Sequence, residues 1–130
     1  MEKILLVEDE KMIADIVVRF FEKKGFKVDV AYDLPHGMEK YDPGYDIVIL
    51  DIALKSETSF PLLERIKKEK PETTVLMFSG YDSEEYITKA KHLGADGFIP
   101  KPFRMEFLDD FLAPKIEAIR RKKAEAKKKE

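Results

Sequence analysis

Five residues in this chain could do chemistry together: Glu8, Asp9, Asp51, Ser79 and Lys101. Each ends or closely follows a short apolar run. Glu8 and Asp9 come after Ile4-Leu5-Leu6-Val7, Asp51 after Ile47-Val48-Ile49-Leu50, Ser79 after Val75-Leu76-Met77-Phe78, and Lys101 after Gly97-Phe98-Ile99-Pro100. Carboxylates held close together raise one another's pKa unless something compensates. A hard divalent cation is the obvious compensator, and oxygen-only ligands suit Mg²⁺ or Mn²⁺. Such an ion, bound by one or two carboxylates with water positions open, typically serves to bind a phosphate. Lys101 adds a second positive point for that group, and the Ser79 hydroxyl adds a hydrogen bond. A carboxylate can itself be the nucleophile, forming an aspartyl-phosphate. Asp51, lying between the acidic pair and Lys101, is the natural attacker.

These residues meet only if the apolar runs are neighbouring strands. Between the runs, the apolar period becomes helical. Met12, Ile13, Ile16, Val17, Phe20 and Phe21 recur at helical spacing, and Gly25 closes that helix. Phe26, Val28 and Val30 alternate as a strand. Leu34 to Lys40 is a weak helix with Asp33 as cap and Pro35 in its first turn. Ser59 can cap a helix carrying Leu62, Leu63 and Ile66, stopped by Pro71. A helix from about Ser83 presents Tyr86, Ile87, Ala90 and Leu93, and a last one carries Phe107, Leu108, Phe111, Leu112, Ile116 and Ile119. Strand and helix thus alternate five times, with inner strands apolar on both faces. The expected fold is α/β: a five-stranded parallel sheet of order 2-1-3-4-5, helices on both faces, joined by right-handed crossovers. In such a sheet ligands bind beyond the carboxyl ends of the strands, where the five residues lie.

The 130 residues predict one domain, with a core large enough to need no staples. There is no Cys and there are only two His, His36 and His92, so disulfides, thiolate zinc sites, a cysteine nucleophile and a histidine-rich metal site drop out. The first apolar run is too short for a signal peptide, and no stretch approaches a membrane span, so the expected compartment is the cytoplasm. From Lys115 to Glu130 there are 8 basic and 3 acidic residues, against 16 basic and 23 acidic before them. An acidic body argues against a body that grips nucleic acid. The expected division is a domain over residues 1–122 and a basic tail over 123–130, the tail being a solvated helical extension or frayed.

With these motifs in order, nearly the whole chain resembles a response-regulator receiver domain of two-component signalling, of the single-domain chemotaxis-regulator-like type. The residues that carry the resemblance are Glu8-Asp9, Asp51, Ser79-Gly80, and Lys101-Pro102 preceded by Phe98. It implies a flavodoxin-like (βα)5 fold and a phosphoacceptor switch. Asp51 would take a phosphoryl group from a sensor histidine kinase or a histidine phosphotransfer protein. Asp9 and Asp51 would bind Mg²⁺, with Glu8 assisting directly or through water and the backbone carbonyl of Ala53 completing the ligands. Lys101 would pair with the phosphoryl oxygens, its bond to Pro102 being cis. Ser79 would move toward the phosphoryl group, and Phe98 would turn inward behind it. The fourth helix, fifth strand and fifth helix would form the effector face of a monomer or phosphorylation-dependent dimer. The switch would promote its own phosphorylation and dephosphorylation without being a multiple-turnover enzyme. Neither a membrane nor nucleic acid is expected as a direct partner.

The chain also departs from that pattern. Leu54-Lys55 and then Ser59 follow Asp51 where a Met-Pro pair and a Gly are common, and Pro35 replaces a helix former. Pro114 inside the last helix removes the bond to the Asp110 carbonyl and should kink or split it. Tyr81 stands near the expected path of attacking water and should slow loss of the phosphoryl group. Taken singly, Asp9 could merely cap the first helix, and Phe98 could be core. Haloacid-dehalogenase-type phosphatases also use a strand-end aspartate, but Ala53 here occupies their second acid position. Flavodoxin's phosphate loop is rich in Gly, Ser and Thr, unlike Glu8-Asp9-Glu10. A phosphorylation-independent pseudo-receiver would need a missing acceptor, acid or lysine, and none is missing. Two architectures remain: a single-domain switch, or a receiver fragment of a longer regulator with a separate output domain.

Overall fold

The computed structural model describes residues 2–80 and 84–128. In chain order its elements are β1 (Lys3–Val7), α1 (Lys11–Lys23), β2 (Lys27–Ala31), α2 (Leu34–Lys40), β3 (Ile47–Asp51), α3 (Phe60–Glu69), β4 (Thr74–Ser79), α4 (Glu84–His92), β5 (Gly97–Pro100) and α5 (Met105–Lys128). All strands pair in parallel, in the order β2-β1-β3-β4-β5. This is the expected α/β sheet. Every residue of β3 and β4 is buried, which is why those runs read as continuously apolar rather than alternating.

The pleat sends alternate side chains to opposite faces and divides the core in two. On one face Leu5, Val7, Val48, Leu50, Val75 and Met77 pack against α2, α3 and α4 through residues such as Leu34, Leu62, Leu63, Ile66 and Ala90. On the other, Ile4, Leu6, Ile47, Ile49, Leu76, Phe78 and Ile99 meet α1 and α5 through Val17, Phe21, Leu108, Leu112 and Ile116. Burying side chains of this kind contributes roughly 1.5–3 kcal/mol each before conformational entropy is subtracted.

Local chemistry sets the element ends. The Asp33 carboxylate accepts from the His36 backbone N–H at 2.8 Å and caps α2, with Pro35 in the first turn as expected. Gly25 closes α1 at φ +88°, a left-handed conformation that costs glycine little. Ser59 stands at the N-cap position of α3, but its side chain makes no capping bond and its Oγ is buried without a partner. The start of α4 at Ser83 lies outside the described residues.

Some apolar side chains expected inside are outside. Met12 and Ile16 of α1 are 80% and 52% exposed, and Phe107 of α5 is also exposed. Tyr86 of α4 is exposed and meets Phe60 edge-on, with ring centroids 5.8 Å apart. Pro114 does not split α5, which runs unbroken from Met105 to Lys128. Both Pro114 and Asp110, whose carbonyl loses its helical donor, lie on the exposed side, where water can serve that oxygen.

The basic segment is not frayed through Lys128. It continues α5 as helix and reaches the amino-terminal edge of the sheet. Arg120 pairs with Glu2 at 2.5 Å and donates to the Lys24 carbonyl at 3.1 Å, while Lys123 pairs with Asp46 at 3.0 Å. The boundary expected at residues 122 and 123 therefore falls within one continuous helix.

Candidate functional site at the carboxyl ends of the strands

Register aligns the ends of the central strands. Asp51 is paired with Phe78, and Ser79 with Pro100. The loop after β1 is anchored by the Glu8 N–H donating to the Ala31 carbonyl at 3.0 Å. The segment after β3 is held by Ile52 N–H donating to Phe78 O at 3.0 Å, and it closes on itself through an isolated antiparallel bridge between Ala53 and Thr58. The Lys101 N–H donates to the Ser79 carbonyl at 2.6 Å, and the Lys101–Pro102 bond is cis, as expected.

Three of the five residues are brought into direct contact. Lys101 Nζ lies 2.7 Å from Asp51 Oδ2 and 2.5 Å from Glu8 Oε1. Glu8 is fully buried, and Asp51 nearly so. Asp9 is half-buried beside them, and oxygens of Glu8, Asp9 and Glu10 all lie within 4.8 Å of one another. Ser79 is buried at the end of β4. Phe98 is half-buried and packs on the α2–α3–α4 side of the sheet, with Lys91 Nζ 5.9 Å from its ring centroid. Tyr81 lies outside the described residues.

Glu10 belongs to this cluster and sequence reasoning did not single it out. Its Oε1 is 3.6 Å from Lys101 Nζ, and its backbone N–H donates to Glu8 Oε2 at 3.0 Å. The signal was an acid immediately after the acidic pair. Asp9 does not cap α1, since Glu10 occupies the N-cap position.

The electrostatics follow from burying carboxylates beside one ammonium. Burial pushes the Glu8 carboxyl up to about 7; the Lys101 ammonium and the Glu10 N–H oppose this, and the Asp51 charge adds to it. Burial also raises Asp51, against the pull of Lys101 and with the repulsion of Asp9 adding to the rise. Burial works against the Lys101 charge, but Asp51 and Glu8 outweigh it and hold the ammonium above its ordinary value. One lysine therefore leaves the site with uncompensated negative charge. The donor set fits a hard divalent ion: the oxygens are carboxylate, and those of Glu8, Asp9 and Glu10 converge.

Beside Lys101, a groove of about 160 Å³ is lined by Ile13, Ile16, Val17, Lys101, Pro102, Phe103 and Met105. The exposed Ile16 thus sits on the rim of the site.

Known proteins share this arrangement. Residues 4–113 match the family model of the response regulator receiver domain. The chain is 35% identical over 107 residues to the transcriptional regulatory protein DltR of Streptococcus agalactiae, covering 82% of this chain and 48% of that protein. It is 31% identical to the transcriptional regulatory protein CpxR of Escherichia coli, covering 94% of this chain and 50% of the relative. The chain therefore spans about half the length of these curated relatives. Among solved structures, a CheY-like response regulator receiver domain from Methanospirillum hungatei JF-1 superimposes with a TM-score of 0.85 at 27% identity, covering 94% of this chain and 98% of that one. The BeF3-activated DrrB receiver domain gives a TM-score of 0.81 at 26% identity, covering 90% of this chain and 98% of that one. With the expected motifs at the ends of a 2-1-3-4-5 sheet and a family match over most of its length, the chain belongs to the receiver domains of two-component response regulators.

Proposed function

We propose that Asp51 is the phosphoacceptor, taking a phosphoryl group from the phosphohistidine of a sensor kinase or phosphotransfer protein. The observation that carries this reading is the Lys101 bridge between Asp51 at 2.7 Å and Glu8 at 2.5 Å, in a site with more buried negative charge than one ammonium balances. In the transfer a carboxylate oxygen of Asp51 forms the new bond to phosphorus while the donor's P–N bond breaks, and the imidazole leaves with the bonding pair and takes a proton. Hydrolysis of the acyl phosphate by water regenerates the carboxylate. Asp51 is consumed and restored once per phosphoryl group, so the domain acts as a switch rather than a multiple-turnover enzyme.

Asp9, Asp51 and the Ala53 carbonyl would hold Mg²⁺ or Mn²⁺, with Glu8 assisting. When bound, the ion neutralises the carboxylates and the incoming phosphoryl oxygens. Lys101 contributes the other positive charge and transfers its contacts to the phosphoryl group. Ser79, at the end of β4, offers a hydroxyl to the same group, and its displacement makes room for Phe98 to turn inward. Phosphorylation thus biases a two-state element by adding charge and acceptor oxygens.

The apolar rim formed by Ile13, Ile16 and Phe103 adjoins Lys101, which supports docking of the phosphodonor there. The face of α4, β5 and α5 is the proposed output surface, acting on a partner protein in the cytoplasm or on a further domain, with monomer or phosphorylation-dependent dimer as its states. Incubation with Mg²⁺ and a small-molecule phosphodonor, followed by intact-mass spectrometry, tests the assignment. The wild type should gain one phosphoryl mass and Asp51→Ala none; equal labelling of both would defeat it.

A further inference from the structure

We infer that the stacked rings of Phe78 and Phe103 are the positioning support of the Lys101 ammonium in phosphoryl transfer. The inference rests on the reading of Asp51 and Lys101 given above.

Lysine carries a compact charge on a flexible four-carbon stem, so something besides the stem must fix where the charge lies. Asp51 and Glu8 draw the Lys101 ammonium from one side. On another side its Nζ stands 6.0 Å from the centroid of the Phe78 ring, at the outer limit of a cation–π contact. Phe78 is fully buried, and Phe103 lies against it with centroids 4.7 Å apart and ring planes at 35°. The two rings form a wall on the α1–α5 side of the sheet, the face opposite Phe98. The backbone bonds that order the charged groups also hold this wall. Phe78 is paired with Asp51, and its carbonyl accepts from the Ile52 N–H at 3.0 Å. The next carbonyl, that of Ser79, accepts from the Lys101 N–H at 2.6 Å.

Phe103 is half-buried and, with Lys101, Pro102 and Ile13, lines the groove of about 160 Å³. Without its ring that space widens beside the lysine, and the stem gains rotamers that carry the ammonium away from Asp51. In transfer the ammonium must pass from a carboxylate to phosphoryl oxygens. Uncharged rings keep it in place while those partners change.

The test compares the full chain with Phe103→Leu, with Phe103→Tyr, which keeps the ring, and with Leu112→Ala, a core truncation on the same face of the sheet. Phe103 is chosen because, being half-buried, its loss opens the core less than that of Phe78. In chelator, brief treatment with acetic anhydride followed by peptide mass spectrometry reads how freely the Lys101 amine leaves its carboxylates. Phe103→Leu should raise acetylation of Lys101 relative to the exposed Lys55 about two- to fivefold, while Phe103→Tyr and Leu112→Ala keep the wild-type ratio. With Mg²⁺ and acetyl phosphate, Phe103→Leu should gain phosphoryl mass roughly three- to tenfold more slowly, within the 10²-fold that a misplacement of about 1 Å can cost. Phe103→Tyr and Leu112→Ala should gain it at the wild-type rate. Wild-type acetylation or wild-type labelling in Phe103→Leu, or an equal effect of Leu112→Ala, overturns the positioning role. If the wild type gains no phosphoryl mass, the phosphoacceptor reading itself fails, and the acetylation ratio still decides whether the rings hold Lys101.

Discussion

Lys101 Nζ lies 2.7 Å from Asp51 Oδ2 across a separation of 50 residues. The contact requires β3, β4 and β5 to be adjacent and in register, so the fold and the chemistry are specified by the same pairing. Removing the ammonium leaves Glu8 and Asp51 buried without a counter-charge. Lys101→Met should lower stability by about 3 kcal/mol at pH 8 in chelator, the low end for breaking a buried pair. Urea titration checks this, and Mg²⁺ should restore part of the loss.

The raised Glu8 pKa makes stability depend on pH. Its value rises from 4.5 to about 7 on folding, chiefly through burial, so the folded state binds the proton more tightly than the unfolded chain. The resulting stabilisation is fully present below pH 4.5 and is lost as pH rises through 7. In chelator the melting temperature should therefore fall between pH 5 and pH 8, by the equivalent of about 3 kcal/mol at most. Glu8→Gln should flatten the profile. A slope of opposite sign in the wild type would contradict the burial of that carboxyl.

Gly97 fixes how closely α5 approaches the edge strand. A Cβ at this position would fall 2.2 Å from Cζ of Phe111. Gly97→Ala should displace that ring and cost about 1–2 kcal/mol, within the range for overpacking. Combining it with Phe111→Ala should give a loss smaller than the sum of the two single losses, as measured by denaturant titration of the four proteins.

The exposed Ile16 separates two routes to Asp51. Ile16→Glu should slow transfer from a phosphohistidine protein on the order of tenfold, the effect of losing about 1.4 kcal/mol of contact. Labelling by a small phosphodonor should stay at the wild-type rate. Rapid-quench measurement with both donors distinguishes the two.

At the opposite end of the molecule, Arg120 and Lys123 hold α5 to Glu2 and Asp46. Replacing both cations by Ala should cost about 1 kcal/mol or less, because each is nearly half exposed. Molar salt should shrink the difference between variant and wild type, as compared by chemical denaturation at two ionic strengths.

Much of this was legible in the sequence because burial on both faces leaves an unmistakable mark. Ile47 to Leu50 and Val75 to Phe78 admit no polar residue, so the first polar residue after each run, Asp51 or Ser79, is automatically a strand-end group. Glu10 was less visible, since an acid at a helix start has an ordinary capping use, and only the course of its side chain shows otherwise. Helical spacing placed Met12 and Ile16 with the core, but a stripe read at that spacing is wider than the contact it makes. Met12 and Ile16 flank the buried Ala14 and Val17, and that difference depends on the rotation of α1 against the sheet. The split expected at Pro114 does not occur, for a related reason. A missing donor is costly where its carbonyl is buried, and the Asp110 carbonyl is on the wet side of α5.

The last helix begins just past the cis bond at Pro102 and ends beyond the fastenings to Glu2 and Asp46. At 1.5 Å per residue its 24 residues make a rod about 36 Å long that touches both poles of the molecule. Starting close after Pro102 and fastened near its other end by Arg120 and Lys123, the helix physically joins the strand-end site to the opposite end of the sheet.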